Sequence, residues 1–457
     1  MPGLVLALST RALCSNKVCT TQSLMTMPNE TRPSESPAAS QRLMSVDALR
    51  GFDMFWIIGA DSLVYALHRL SPSGPTSFLA DELEHAEWEG FHFYDLIFPL
   101  FVFIVGVSLV FSLTKTIERA GRGEAVKRVF RRGILLFLIG IFYSGGFTSP
   151  WPDMRLMGVL NRIALAYFFA GLLFCFFKPR MLVGISVGIL AGYWAIMTFV
   201  PIRDIQLTKS NLAALAEKAG DEKTATLFKD ESNPSAVKDS PAWAAAEKMF
   251  YATTNRVTGQ FGKGLNLAND IDFEYLPGRK YDTFFDPEGF LSTLPAVVTC
   301  LLGVFAGLLL RNQALPDKQK VVWLISFGVA AAVLGWLWNY QFPVIKKIWT
   351  SSYVLVAGGY SAILLGVFYL IVDVWKARAW CQPFVWMGMN SITVYLTSNM
   401  LGGFRRLALR FAGGDVRGFL DAHLAKGCGD LAISIVGLLL AFWFVHFLYK
   451  RKIFLRL

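Results

Sequence analysis

Apolar residues run through this chain in long blocks separated by shorter polar ones. Ten blocks read as membrane-crossing helices, a crossing needing ~20 apolar residues: 52–70, 94–114, 133–147, 156–177, 181–200, 290–310, 321–340, 351–374, 384–401 and 431–449. The pattern predicts an all-α polytopic membrane protein with about ten spans. One connection, 201–288, is polar and long, with helix-like pieces such as 242–251. Connections of that length are often functional, and a substrate-gathering cap and a bland surface insertion are both open readings of it. Residues 1–42, rich in Ser, Thr and Pro, read as a disordered tail ahead of a transmembrane domain over 43–457, with Met25, Met27 and Met44 as alternative starts.

Charge orients the spans. Between the second and third lie Lys115, Arg119, Arg122, Lys127, Arg128, Arg131 and Arg132; every second connection after that is basic too, down to Lys450, Arg451, Lys452 and Arg456. The intervening ones carry Asp81, Glu82, Glu84, Glu87 and Glu89, with Lys346 and Lys347 as the exception. By the positive-inside rule both termini are cytoplasmic and the 201–288 loop is extracytoplasmic. Hydrophobic residues make up 54% of the chain and charged residues 17%, against about a quarter charged in soluble domains. The net charge of +11 therefore belongs to membrane loops and is no sign of nucleic-acid binding. The six cysteines show neither paired spacing nor a metal motif.

Ionisable groups near or within apolar blocks are costly and usually serve a function. The stretch LEHAEWEGFHFYDLIFPLFVFIVG (83–106) runs a polar patch with His85, Glu87, His92 and Asp95 straight into a span. Histidine is the side chain best suited to move protons near neutral pH. Asp61 stands alone near the outer end of the first span and is placed by the topology to orient His85; the plainer reading is an interfacial histidine and a snorkelling acid. His92 competes with His85, whereas His68, His423 and His446 read as structural. At the inner end of the first span, Asp47 and Arg50 read as an interfacial pair. Asn161 and Arg162 sit inside the fourth span, Asn390 and Ser391 interrupt the ninth, and Lys346, Lys347, Trp349, Thr350 and Ser351 cluster before the eighth. Capping by Thr350 or Ser351 and interfacial anchoring by Trp349 and the lysines would explain these residues singly. Together they suggest a polar route or site inside a bundle, as an enzyme or a sugar or glycolipid transporter would need.

The chain resembles the heparan-α-glucosaminide N-acetyltransferase family. The matching pieces, in order, are SVDALRG, the 83–106 stretch, MGVLNRIALAYF, DPEGFLSTLPAVVTCLLGVFAG, FPVIKKIWTSSYV, PFVWMGMNSITVY and YKRKIF. The resemblance implies acetyl transfer from cytosolic acetyl-CoA to the amino group of an amino sugar or glycan on the far side of the membrane. It implies a homodimer as well. Bacterial relatives of this family point to an inner (cytoplasmic) membrane. The family's catalytic histidine, in its HAxWxG pattern, falls on His85, and Asp61 stands where the family usually has asparagine. The expected acetyl-CoA contacts are Arg50, Asn161, Arg162, Asn390 and Ser391, with Asn161, Asn390 or Ser391 as oxyanion donor. Asn269, Asp286, Lys347 and Trp349 are the expected acceptor contacts. No metal is expected.

Overall fold

The computed structural model describes residues 43–148, 151, 153–229 and 240–455; the expected tail, 1–42, lies outside them. Seventeen α-helices and one short β-ladder follow in chain order. The first span is not one helix. α1 (Met44–Phe55) and α2 (Asp61–Leu70) are separated by a π-turn over Trp56–Ala60, where Gly59 has φ of 129°. Only glycine takes that conformation cheaply, so the apolar block kinks while its composition stays continuous. α3 (Gly74–Glu82) leads to the 83–92 loop.

α4 (Phe93–Tyr143) holds the second and third expected spans and the basic connection between them. Residues 115–132 are helical because Lys, Glu, Arg and Ala are strong helix formers; the chain turns its corner at Gly121, at φ of 83°. α5 (Val159–Phe176) and α6 (Pro179–Phe199) follow. The long connection is itself folded, as α7 (Lys209–Lys218), α8 (Glu222–Lys229), α9 (Pro241–Ala252) and α10 (Leu267–Tyr275), with β1 (Ile202–Arg203) antiparallel to β2 (Arg256–Val257). It has its own apolar core, in which Trp243 stacks on Phe273 at 4.6 Å and packs against Phe284.

α11 (Thr293–Arg311), α12 (Asp317–Trp338) and α13 (Ser351–Phe368), the last extended by a π-turn over Tyr369–Val374, return to the bundle. The ninth expected span is broken into α14 (Gln382–Met389) and α15 (Ser391–Leu401) at Asn390. α16 (Phe404–His423) is an amphipathic helix that the hydropathy pattern does not reveal, because Arg405, Arg406, Arg410 and Arg417 dilute its apolar positions. α17 (Cys428–Lys450) closes the chain, and its buried Asp430 binds Arg69, Arg405 and Arg417 at 3.0–3.1 Å. Among the described residues seven helices are long and apolar enough to cross a membrane. That number is lower than ten because α4 contains two expected spans, and the first and ninth are divided.

Small residues set the closest crossings. A side chain at Gly106 of α4 would meet the carbonyl of Cys300 at 1.9 Å, and one at Gly303 of α11 would meet the carbonyl of Phe103 at 1.9 Å. Where lipid supplies no hydrophobic drive, such backbone contact is a main source of association. It holds α4 against α11 behind the cavity described next.

Candidate active site

A cavity of about 410 Å³ opens where the kinked first helix, the N-terminal part of α4, the start of α5 and α15 meet, beneath the 281–288 and 346–349 segments. Its inner wall is apolar and aromatic, with Phe98, Phe101 and Tyr395; its outer wall carries His85, Arg155, Arg162, Glu288, Lys346 and Lys347.

His85 Nδ1 lies 2.8 Å from Asp95 Oδ1. A carboxylate only accepts, so Nδ1 carries the proton and Nε2 is left with its lone pair. The same oxygen accepts from Lys346 Nζ at 3.2 Å, and that ammonium lies 3.0 Å from His85 Nδ1. Asp95 Oδ2 accepts from the backbone N–H groups of Ala86 (3.2 Å) and His92 (3.1 Å). Asp95 is in the first turn of α4, where the helix dipole favours negative charge. Four donors and a helix end thus hold a carboxylate with only 1% of its side chain exposed. Tyr353 Oη fixes the backbone there by donating to Asp95 O at 2.8 Å. Burial lowers the Lys346 ammonium from its ordinary range, against the pull of Asp95.

Asp61 does not touch His85. Its Oδ2 accepts from Tyr94 Oη at 3.4 Å, and the Tyr94 ring lies 4.8 Å from the His85 ring. The carboxylate on His85 Nδ1 comes from the head of α4 instead. His92 caps that loop, its Nδ1 3.0 Å from Glu84 O.

Arg162, Ser391, Lys347 and Trp349 line the cavity. Arg162 is fully buried; its Nη2 donates to Ser292 Oγ, and its guanidinium lies 4.8 Å from the Trp349 ring centre. Trp349 Nε1 donates to Thr299 Oγ1 at 3.1 Å. Its φ of 50° is a strained conformation for a bulky residue, fixed by a turn in which Trp349 N donates to Lys346 O at 3.0 Å. Lys347 pairs with Asp282 at 2.9 Å.

The remaining expected contacts lie off the cavity wall. Arg50 bonds Asp47 (3.3 Å) and Ser108 Oγ (2.5 Å). Asn161 donates to Phe137 O at 2.9 Å, on the face of α5 turned to the second half of α4. Asn390 donates to Trp386 O at 3.2 Å, closing the break between α14 and α15. Asn269 accepts from Gly264 N (3.0 Å) and Asn266 Nδ2 (2.6 Å), as a loop staple. Asp286 sits just behind the wall, gripping Arg155 at 2.9 and 2.8 Å.

Asp95, Lys346, Arg155, Glu288 and Tyr94 are the members sequence reasoning did not assign. Glu288 accepts from Arg155 at 2.8 Å, and burial raises its carboxyl above the ordinary range. Behind it, burial pushes Asp272 up to about 7, against the hydrogen bond from Phe290 N. The available signal was proximity in sequence, since Asp95 and Lys346 lie in the very stretches that held His85 and Lys347. Among the described residues no three His, Cys, Asp or Glu side chains converge as metal ligands.

Residues 42–216 match the family model described as heparan-alpha-glucosaminide N-acetyltransferase, catalytic. That segment contains His85, Asp95, Arg155 and Arg162, but not Glu288, Lys346 or Trp349. The chain is similar to the heparan-alpha-glucosaminide N-acetyltransferase of Mus musculus, at 26% identity over 388 residues, 81% of this chain and 56% of the relative. It is likewise similar to that of Homo sapiens, at 25% over 437 residues, 91% of this chain and 60% of the relative. The match thus spans less than two thirds of either relative's length. The ordered motifs, the matched catalytic region and the two relatives together make this chain similar to the heparan-alpha-glucosaminide N-acetyltransferase family.

Proposed function

We propose that the protein is a membrane N-acetyltransferase that moves the acetyl group of acetyl-CoA to the amino group of a glucosamine-type sugar or glycan. The carrying observation is the His85–Asp95 pair on the cavity wall, with Nε2 as the ring nitrogen left without a proton, 3.4 Å from Lys346 Nζ. A histidine held in one tautomer by a buried carboxylate is a general base. In this reading Nε2 takes the proton of the attacking amine as the C–N bond forms. It returns that proton to the sulfur as the C–S bond breaks, yielding free thiol and N-acetyl sugar. Lys346 holds Asp95 from the other side and Tyr94 walls the ring. The aromatic inner wall surrounds the thioester arm, and Phe98, Phe101 and Tyr395 keep water from it.

The basic connections support entry of acetyl-CoA from the cytoplasmic face, because its phosphates are drawn to arginine and lysine. The amine then arrives from the opposite face, past Lys347, Tyr281 and Glu288, which lie at the mouth. Residues 201–288 form the wall of that approach, with Asp286 fixing Arg155 beside it.

The test is thiol release from acetyl-CoA by purified protein, with and without glucosamine, alongside His85→Ala. Amine-dependent release that requires His85 is expected. Binding of acetyl-CoA with the thioester left intact would instead favour a carrier.

A further inference from the structure

The charged groups of the cavity wall are paired, with one exception. Arg155 binds Asp286 and Glu288, Lys346 binds Asp95, and Lys347 binds Asp282. Arg162 forms no ion pair among the described residues. Among the described residues its side-chain hydrogen bond goes from Nη2 to Ser292 Oγ, while Nε and Nη1 have no acceptor. The group is fully buried, near the start of α5. Glu288, Asp286 and Asp272 act on it only at longer range, and buried donors without an acceptor are costly, so an oxygen arriving with a ligand would satisfy them.

The position of Arg162 says which oxygen. Lys346, against the His85 ring, and Trp349, under the Arg162 guanidinium, are the two ends of one turn closed by the Trp349 N to Lys346 O bond. The ends of such a turn lie within ~7 Å of each other. His85 and Arg162 therefore border the same cavity, each against one end of that turn. The Trp349 face and Ser292 hold the guanidinium flat, and a donor fixed before the reaction incurs no reorganisation when charge develops.

We infer that Arg162 is the oxyanion donor of the transfer, in place of the expected Asn161, Asn390 or Ser391. This rests on the acetyltransferase reading. The amine lone pair attacks the thioester carbon, and the C=O electron pair moves onto oxygen against Arg162. His85 Nε2 removes the nitrogen's proton. The oxygen pair then returns as the C–S bond breaks, and the thiolate takes the proton from His85.

The test compares wild type with Arg162→Lys and Arg162→Ala, measuring kcat and, separately, equilibrium binding of acetyl-CoA. A lost oxyanion donor is expected to lower kcat by ~100- to 1,000-fold, with acetyl-CoA affinity nearly unchanged and Arg162→Ala partly rescued by added guanidinium. Weakened acetyl-CoA binding with kcat retained would make Arg162 an anchor for the donor molecule and overturn the inference. Should both variants fail to fold, wild type decides it with a dithioester analogue of acetyl-CoA, whose C=S accepts hydrogen bonds poorly. The enzymatic rate should fall at least tenfold further than the uncatalysed aminolysis of the same pair; an equal fall overturns the inference. If wild type consumes no acetyl-CoA at all, the functional reading fails and takes this one with it.

Discussion

Replacing Asp95 by asparagine separates orientation from bulk. The carboxylate has two jobs: Oδ1 accepts from His85 and Lys346, and Oδ2 accepts from the N–H groups of Ala86 and His92. Asparagine has one acceptor oxygen. With that oxygen on the two backbone N–H groups, its NH₂ faces the ring, and His85 must present a bare Nδ1 and carry its proton on Nε2. The cavity-facing base is then lost while the shape is kept. The equivalent change in a serine protease triad costs about 10,000-fold, ~5 kcal/mol of barrier at ~1.4 kcal/mol per tenfold. We expect a fall of at least a thousandfold in kcat. A second effect runs in parallel, because Lys346 loses its carboxylate, and breaking a buried pair destabilises by ~3–5 kcal/mol. The assay is therefore thiol release alongside thermal unfolding, with Asp95→Asn/Lys346→Gln as a third protein. The double variant should regain stability without regaining turnover. Turnover within tenfold of wild type in Asp95→Asn, with His85→Ala inactive, would refute the orienting role.

Asp61→Asn should change kcat less than tenfold, since Asp61 accepts from Tyr94 and the Ser62 backbone N–H rather than from His85; a loss as large as that of Asp95→Asn would return Asp61 to the centre of the mechanism. Trp243→Ala, by removing the centre of the 201–288 core, should destabilise that segment by ~3–5 kcal/mol, read as new protease cleavage there with the helices of the bundle intact. Asp272, held near 7 by burial, keeps its proton in the folded state at pH values where the unfolded chain has lost it. Folded stability is therefore fully present below about pH 4 and falls as pH rises towards 7, by up to ~4 kcal/mol for ~3 units. Hydrogen exchange of residues 267–290 should accelerate over that range, and Asp272→Asn should flatten the slope. Gly303→Val should disrupt the α4–α11 crossing, where a side chain would meet the Phe103 carbonyl at 1.9 Å; normal folding yield would show that the helices can separate there without loss.

Hydropathy made the helical architecture legible because it reports composition over ~20 residues. It could not report what single residues do to the backbone. Gly59, Gly121 and Asn390 each break or turn an apolar or helix-forming run, and each changes where a span begins or ends. His85 was singled out because its motif is local. Asp61 was the carboxylate expected beside it because span topology puts both at one end of the first two helices. Only the loop's hydrogen bonds show that Asp95, ten residues along, folds back beneath the ring. Lys346 was out of reach for a different reason: its separation of 251 positions from Asp95 leaves no periodicity to connect them. Arg162 was found by its cost in an apolar run, but its lack of a direct ion pair among the described residues is a property of the assembled cavity.

The turn over 346–349 is also fastened from behind. Tyr193 of α6 donates from its buried hydroxyl to Ile348 O at 2.6 Å, and Ser351 Oγ donates to Leu190 O of the same helix at 2.8 Å. Most of α6 presents its side chains outward, with Met181, Val183, Val187 and Phe199 exposed, on a surface suited to acyl chains. The segment touching both His85 and Arg162 is thus moored to a helix whose other face is exposed and apolar. A change in bilayer thickness tilts membrane helices, so turnover is expected to differ between detergent, thin bilayers and thick bilayers.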